Sequence, residues 1–125
     1  MTLTSDNSSV EQEGRLGYTA EVTNDTGESK TFVYWSEVYL WTGEPYKKKP
    51  VFGPKTVTLQ TGETKLGHLS HKVPDNAPLK TYTLCGRIGN YPGDIWTEDC
   101  FEFTVIPGMI PGYGGSDWEV IEATF

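Results

Sequence analysis

The sequence predicts an all-β fold, a two-layer sandwich of about seven strands with one further strand tethered at the C-terminus. Three observations predict it. Thr, Val and aromatic residues recur along the chain, aromatics alone making up 13%, while the good helix formers Ala and Leu are scarce; such residues suit a pleated, half-buried surface. Short apolar runs are broken at regular intervals by Gly, Pro, Asn and Asp. No segment places apolar residues at i, i+3, i+4 and i+7 over a useful length. The 125 residues suit one domain, able to bury roughly two-thirds of its unfolded surface without a metal.

The elements follow in order. Residues 1–5 alternate weakly and read as a first edge strand, and 6–14 as polar loop. Leu16, Tyr18, Ala20 and Val22 share one face of a strand over 16–23, which a turn cluster at Asn24-Asp25-Thr26-Gly27 ends. The longest strand spans 30–41. A Gly-, Pro- and Lys-rich loop over 42–54 leads to a short strand at 56–59 and another strand at 63–73, then a Pro-rich loop over 74–78.

The last hairpin, about 80–88 and 95–106, carries the most specific expectation. With its midpoint between Pro92 and Gly93, Cys85 faces Cys100, Leu84 faces Phe101 and Tyr82 faces Phe103, while Arg87 faces Glu98 and Thr83 faces Glu102. A single register thus sorts apolar from polar residues, pairs opposite charges and opposes the two cysteines, whereas a one-residue slip would scramble the faces. Opposed residues in a non-hydrogen-bonded pair lie about 4.5 Å apart at Cα, at the short end of disulfide geometry. The reading is a Cys85–Cys100 bridge formed in an oxidising compartment; the alternative is a pair of free thiols.

Two segments look under-covered. In the 30–41 strand Val33, Trp35, Tyr39 and Trp41, with Glu37 among them, occupy one face and Phe32, Tyr34, Val38 and Leu40 the other. Both faces are apolar or aromatic, so either something covers the second or a bulge switches the facing midway. The tail divides into a Gly/Pro linker, 107–115, and a strand, 116–125, beyond a body spanning 1–106. Trp118 and Val120 are expected on one face of that strand, with Ile121, Ala123 and Phe125 on the other. It either folds back on its own sheet edge or adds to that of a neighbouring copy. In the second case Trp118, Val120 and Ile121 are the self-association anchors, and a head-to-tail contact that does not close makes filaments.

The hairpin residues Thr81, Tyr82, Gly86, Ile88, Gly89, Tyr91, Pro92, Ile95, Trp96, Asp99, Phe101 and Phe103, with Val22-Thr23-Asn24 and Val33-Tyr34-Trp35 upstream, form a pattern. It resembles that of immunoglobulin-like modules in secreted bacterial surface proteins, including type IX secretion substrates. The resemblance covers about residues 14–106. It implies an immunoglobulin-like Greek-key sandwich used as a spacer, stalk or surface component, without a catalytic residue set. The facing cysteines, and an end at Phe125 without a further sorting domain, depart from the family pattern.

Charge and motifs narrow the function. A net charge of −7 disfavours nucleic acid and anionic membrane as partners, and no apolar run reaches membrane-spanning length. No basic-plus-apolar leader begins at Met1, so the bridge and two sequons, at Asn7 and Asn24, imply that a leader was removed and that Asn7 and Asn24 are candidate glycosylation sites. His68 and His71 point to opposite faces of a strand and cannot share a metal locally. No catalytic, cofactor-binding or metal set is expected. Lys47-Lys48-Lys49 form a basic island, either a solvated loop tip or a contact for an acidic neighbour or acidic polysaccharide. Trp41, Tyr46, Tyr91 and Trp96 are a candidate glycan platform, which requires a flat, coplanar aromatic strip. The expectation is a non-enzymatic, extracellular or cell-surface structural module that associates with copies of itself; the alternative is a carbohydrate-binding or spacer module of a larger secreted protein.

Overall fold

The structure, a computed structural model, describes residues 1–46, 50–108 and 118–125. The basic island at 47–49 and most of the linker lie outside them, as do Ser116 and Asp117. The described residues form β1 (Thr2–Ser5), β2 (Ser9–Glu11), β3 (Arg15–Thr23), β4 (Lys30–Tyr39), β5 (Phe52–Leu59), β6 (Thr64–Lys72), β7 (Thr81–Asn90), β8 (Asp94–Ile106) and β9 (Glu119–Ala123).

They make an immunoglobulin-like β-sandwich of two sheets, in the orders β1-β3-β6-β9 and β2-β8-β7-β4-β5. The N-terminal segment is shared between the sheets. β1 pairs antiparallel with β3, and β2 crosses over to pair parallel with β8. This crossover lies within the segment read as loop, where Val10 is the one apolar side chain of β2 and is buried. Extents also differ elsewhere: β4 ends at Tyr39 and β9 spans only Glu119–Ala123, while β5 begins at Phe52; Gly53 and Pro54 read as loop because Pro brings no ladder donor, yet β5 is an edge strand, where that is tolerated.

The core lies between the inner faces. Leu16, Tyr18, Ala20, Val22 and Leu69 come from one sheet and Phe32, Tyr34, Val38, Leu84 and Phe103 from the other. Tyr82 turns its hydroxyl back to donate to the Pro78 carbonyl at 2.5 Å, the corner that pins the start of the equivalent strand in immunoglobulin-type sandwiches.

The hairpin register is as expected from Tyr82↔Phe103 through Cys85↔Cys100 to Arg87↔Glu98. Cys85 and Cys100 are bonded, their Cα atoms 4.1 Å apart. The register then shifts between Ile88 and Gly89, so that Ile88 pairs Thr97 and Gly89 pairs Ile95. Trp96 is therefore the extra residue of a bulge. Gly89 permits it, since a Cβ there would lie 2.0 Å from the Asp94 carbonyl oxygen.

Both faces of β4 are covered. Its facing does not switch: Phe32, Tyr34, Ser36 and Val38 point inward and are buried. The irregularity falls in the pairing with β5, where Tyr34 opposes Lys55 and Ser36 opposes Phe52. The looped-out Gly53 crosses over Trp35 at a distance only glycine allows, a Cβ being 2.6 Å from the Tyr34 carbonyl oxygen. With Tyr91 edge-on at 5.2 Å, this leaves Trp35 buried on the outer face.

Candidate functional site

β9 returns to its own domain. It pairs antiparallel with β6, Leu69 opposing Ala123 and Lys72 opposing Glu119, with an irregularity between Ser70 and His71. Its own five residues are all exposed. The burial lies at its two flanks: Trp118 packs edge-on against Phe103 and Tyr46, and Phe125 reaches the Tyr34 ring at 4.4 Å. Gly67 makes room for it, since a Cβ there would lie 2.7 Å from the Phe125 Cα. Of the three expected anchors, Trp118 is thus an intramolecular core residue, whereas Val120 and Ile121 are exposed. The expected two-faced alternation breaks at the irregularity, and Phe125, read as a plain face residue, is the deeper plug.

A second link holds β9. His68 on β6 sits between two carboxylates, Nε2 donating to Asp6 at 2.7 Å and, when protonated, Nδ1 donating to Glu122 at 2.6 Å. Those hydrogen bonds, Asp6 first, raise the imidazole above its ordinary range. Asp6 occupies space above Gly17, where a Cβ would meet its carboxylate at 2.2 Å. His71 points the other way, into the core, as the spacing predicts. In the Nε2–H tautomer it donates to Tyr18 at 2.7 Å, Tyr18 donates to Ser36 at 2.9 Å, and Ser36 lies 2.8 Å from the Tyr34 hydroxyl. The Nδ1 atom of His71 has no protein partner among the described residues, and burial holds its pKa down at about 4. Two carboxylates on different nitrogens of His68 and a buried, neutral His71 do not form a metal centre. Sequence spacing separates the two histidines, but Asp6 and Glu122 lie 62 and 54 residues away from His68, too distant for any local pattern to connect them.

The outer face of β4, β7 and β8 carries a second polar set. Arg87 donates to Glu98 at 2.7 Å and to the Tyr39 hydroxyl. Glu37 accepts from the Trp35 indole at 2.9 Å and from Tyr39 at 3.1 Å. The disulfide lies on the same face. All these groups bond one another, which braces the sheet.

The candidate glycan platform is not one surface. Trp41 lies past the C-terminal end of β4 and packs edge-on against Tyr82, and Tyr46 packs on the same ring at a tilt. Tyr91 covers Trp35. Trp96 lies beside Phe32, near the start of β4. The ten residues of β4, at about 3.3 Å each, separate the two exposed tryptophans, so no coplanar strip exists.

The sequons also part. Asn7 is exposed between β1 and β2. Asn24 is buried, and its Nδ2 donates to the carbonyls of Glu28 and Leu59, both at 2.9 Å. A glycan on Asn24 would replace one of the two Nδ2 hydrogens, break the hydrogen bond it makes and have to fit into a buried site, so the folded state argues against Asn24 as a glycosylation site. The sequon there is the by-product of an Asx turn, with Oδ1 accepting from the Thr26 amide and hydroxyl.

No family model matches the chain, and no curated protein sequence does. Solved structures do. A CARDB domain from Pyrococcus furiosus, in complex with di-metal ions, is 14% identical with a TM-score of 0.59, covering 83% of this chain and 84% of that one. The alkylpurine DNA glycosylase AlkC of Pseudomonas fluorescens, bound to DNA containing an abasic site analog, is 14% identical with a TM-score of 0.63. A β-glucosidase from Listeria innocua, in complex with isofagomine, is 16% identical with a TM-score of 0.61. The chain covers only 29% and 16% of those two enzymes, each over 83% of its own length. At these identities the likeness is one of fold: an all-β immunoglobulin-like sandwich with a CARDB domain among its neighbours.

Proposed function

We propose that the chain is a non-enzymatic structural module of an exported surface or fibre protein, and that copies associate by exchanging the C-terminal strand. The carrying observation is the way β9 is held. It is the last element, borders β6 alone, and is fixed by an aromatic plug at each flank with five exposed residues between. The groove that receives Trp118 and Phe125 within one chain offers the same contacts to the strand of another, which is the low-cost route to association by swapping. The Cys85–Cys100 bridge supports a non-cytoplasmic setting. Exposed Asn7 is the one sequon whose surroundings admit a glycan. Likeness to modules that form a minor part of larger enzymes supports an accessory rather than a catalytic role.

The test compares the full chain with one ending at Gly115, by light scattering and electron microscopy over a concentration series. It then adds a peptide of residues 116–125 to the shortened chain. Exchange predicts concentration-dependent dimers or filaments of the full chain, their loss on truncation, and capture of the peptide. A full chain that stays monomeric throughout, with no binding of the peptide, would sink the proposal.

A further inference from the structure

At the end of the sandwich far from Trp41, a cleft of about 500 Å³ opens between the two sheets. Trp96, Phe32 and Ile88 form its apolar side, and Asp25, Lys30 and Thr97 its polar side. We propose that this cleft binds a neutral carbohydrate, one or two pyranose rings stacked on Trp96.

The bulge in β8 carries the argument. Trp96 is the unpaired residue between Ile95 and Thr97, and bulges re-aim side chains in this way. Its ring leans toward Phe32, with centroids 6.5 Å apart, yet stays 47% exposed. Its indole N–H donates to Asp94 at 3.2 Å, and Asn90 donates to the same carboxylate oxygen at 2.9 Å. The result is an aromatic face fixed in orientation before any ligand arrives.

The turn on the polar side is tied down as well. Asp25 sits in the turn that Asn24 ties to Glu28 and Leu59, and its carboxylate has no partner among the described residues. The Thr97 hydroxyl is likewise unpaired among them, while Lys30 is held by Glu28 at 2.9 Å. The tied indole and the tied turn lower the entropic cost of binding, and the volume falls within the usual range for small-molecule sites.

Charge selects the ligand class. Asp25 lines the cleft, and Glu28 and Asp94 stand just behind its lining on Lys30 and Trp96, so carboxylates outnumber Lys30 and the Met1 ammonium; on a chain of net charge −7 this disfavours phosphate, sulfate and uronate. A neutral pyranose instead offers an apolar C–H face to the indole and adjacent hydroxyls as donors to Asp25. No lining residue belongs to β9, so the proposal stands independently of strand exchange.

The test titrates isotope-labelled full chain with cellobiose, maltose and diacetylchitobiose, and with a sulfated disaccharide for comparison. It follows the Trp96 indole and the Asp25 and Thr97 amides by NMR. At least one neutral disaccharide is expected to give saturable shifts at these positions. Trp96→Ala should weaken that binding by roughly tenfold or more, about 1.4 kcal/mol. Trp96→Phe should keep part of it, Asp25→Asn should weaken it, and Trp41→Ala should leave it unchanged. The proposal is overturned if no neutral sugar shifts these resonances at high millimolar concentration. Equal binding by Trp96→Ala, or tighter binding of the sulfated sugar, would overturn it as well.

Discussion

His71 is a neutral imidazole enclosed between two sheets, with one nitrogen bonded to Tyr18 and the other without a protein partner among the described residues. Its proton is bound more weakly in the folded chain, at about 4, than at its ordinary 6.5. The unfolded chain therefore binds more protons between those values, so stability rises with pH across that window and is fully present above it. The shift corresponds to about 3 kcal/mol at order-of-magnitude precision. Urea melts at several pH values should reveal this slope, and His71→Gln should flatten it. His68 contributes in the opposite sense, because its folded value is raised. A second residue-scale consequence lies at Gly67, where an added Cβ would collide with the Phe125 backbone. Gly67→Ala should cost about 1–3 kcal/mol through displacement of the tail, read as a lower urea midpoint. Spacing alone separates the histidines by face, but the partners of each come from distant strands, so the polar network was not legible in the sequence.

Among elements, the β7–β8 hairpin was legible residue by residue because its polar, apolar, charged and cysteine pairs all select one register. The shift beyond Ile88 was not, since nothing local marks Trp96 as the extra residue except Gly89 opposite it. β2 escaped for a related reason: three residues with a single apolar side chain carry no alternation, and the parallel partner lies about a hundred positions on. β4 was legible as a strand apolar on both faces, but the choice between a cover and a bulge was not, nor was the cover itself, the loop around Gly53 and the Tyr91 ring. The bridge between β7 and β8 joins neighbours already paired in one sheet and lies on the outer face. Its removal should therefore leave the fold intact while freeing the unfolded chain. For the 15-residue separation, the chain-entropy relation gives about 3 kcal/mol. The double variant Cys85→Ser, Cys100→Ser should unfold at correspondingly lower denaturant with an unchanged β circular dichroism spectrum; loss of the spectrum in buffer would instead mean that the bridge defines the hairpin.

At the scale of the whole molecule, the sandwich has a closed core and one adjustable edge. Trp118 and Phe125 hold that edge by burial, which is insensitive to pH, whereas the Asp6–His68–Glu122 link joins the segment after β1 to β6 and β9 by charge. Because the folded His68 pKa is raised, the link is complete below the ordinary value of 6.5 and is lost as pH rises through the folded value. His68 is partly exposed, so the effect is modest and weakens with salt. Strand release, and with it exchange between copies, should consequently become faster as pH rises through neutrality. Mixing full chains labelled with two different dyes and following energy transfer would measure that rate. The expected result is a pH-dependent exchange rate for the parent chain and a fast, flatter profile for His68→Ala. Equal profiles for the two proteins would mean that the aromatic plugs and the ladder to β6 hold β9 without it, and that the histidine link is a surface contact without consequence for assembly.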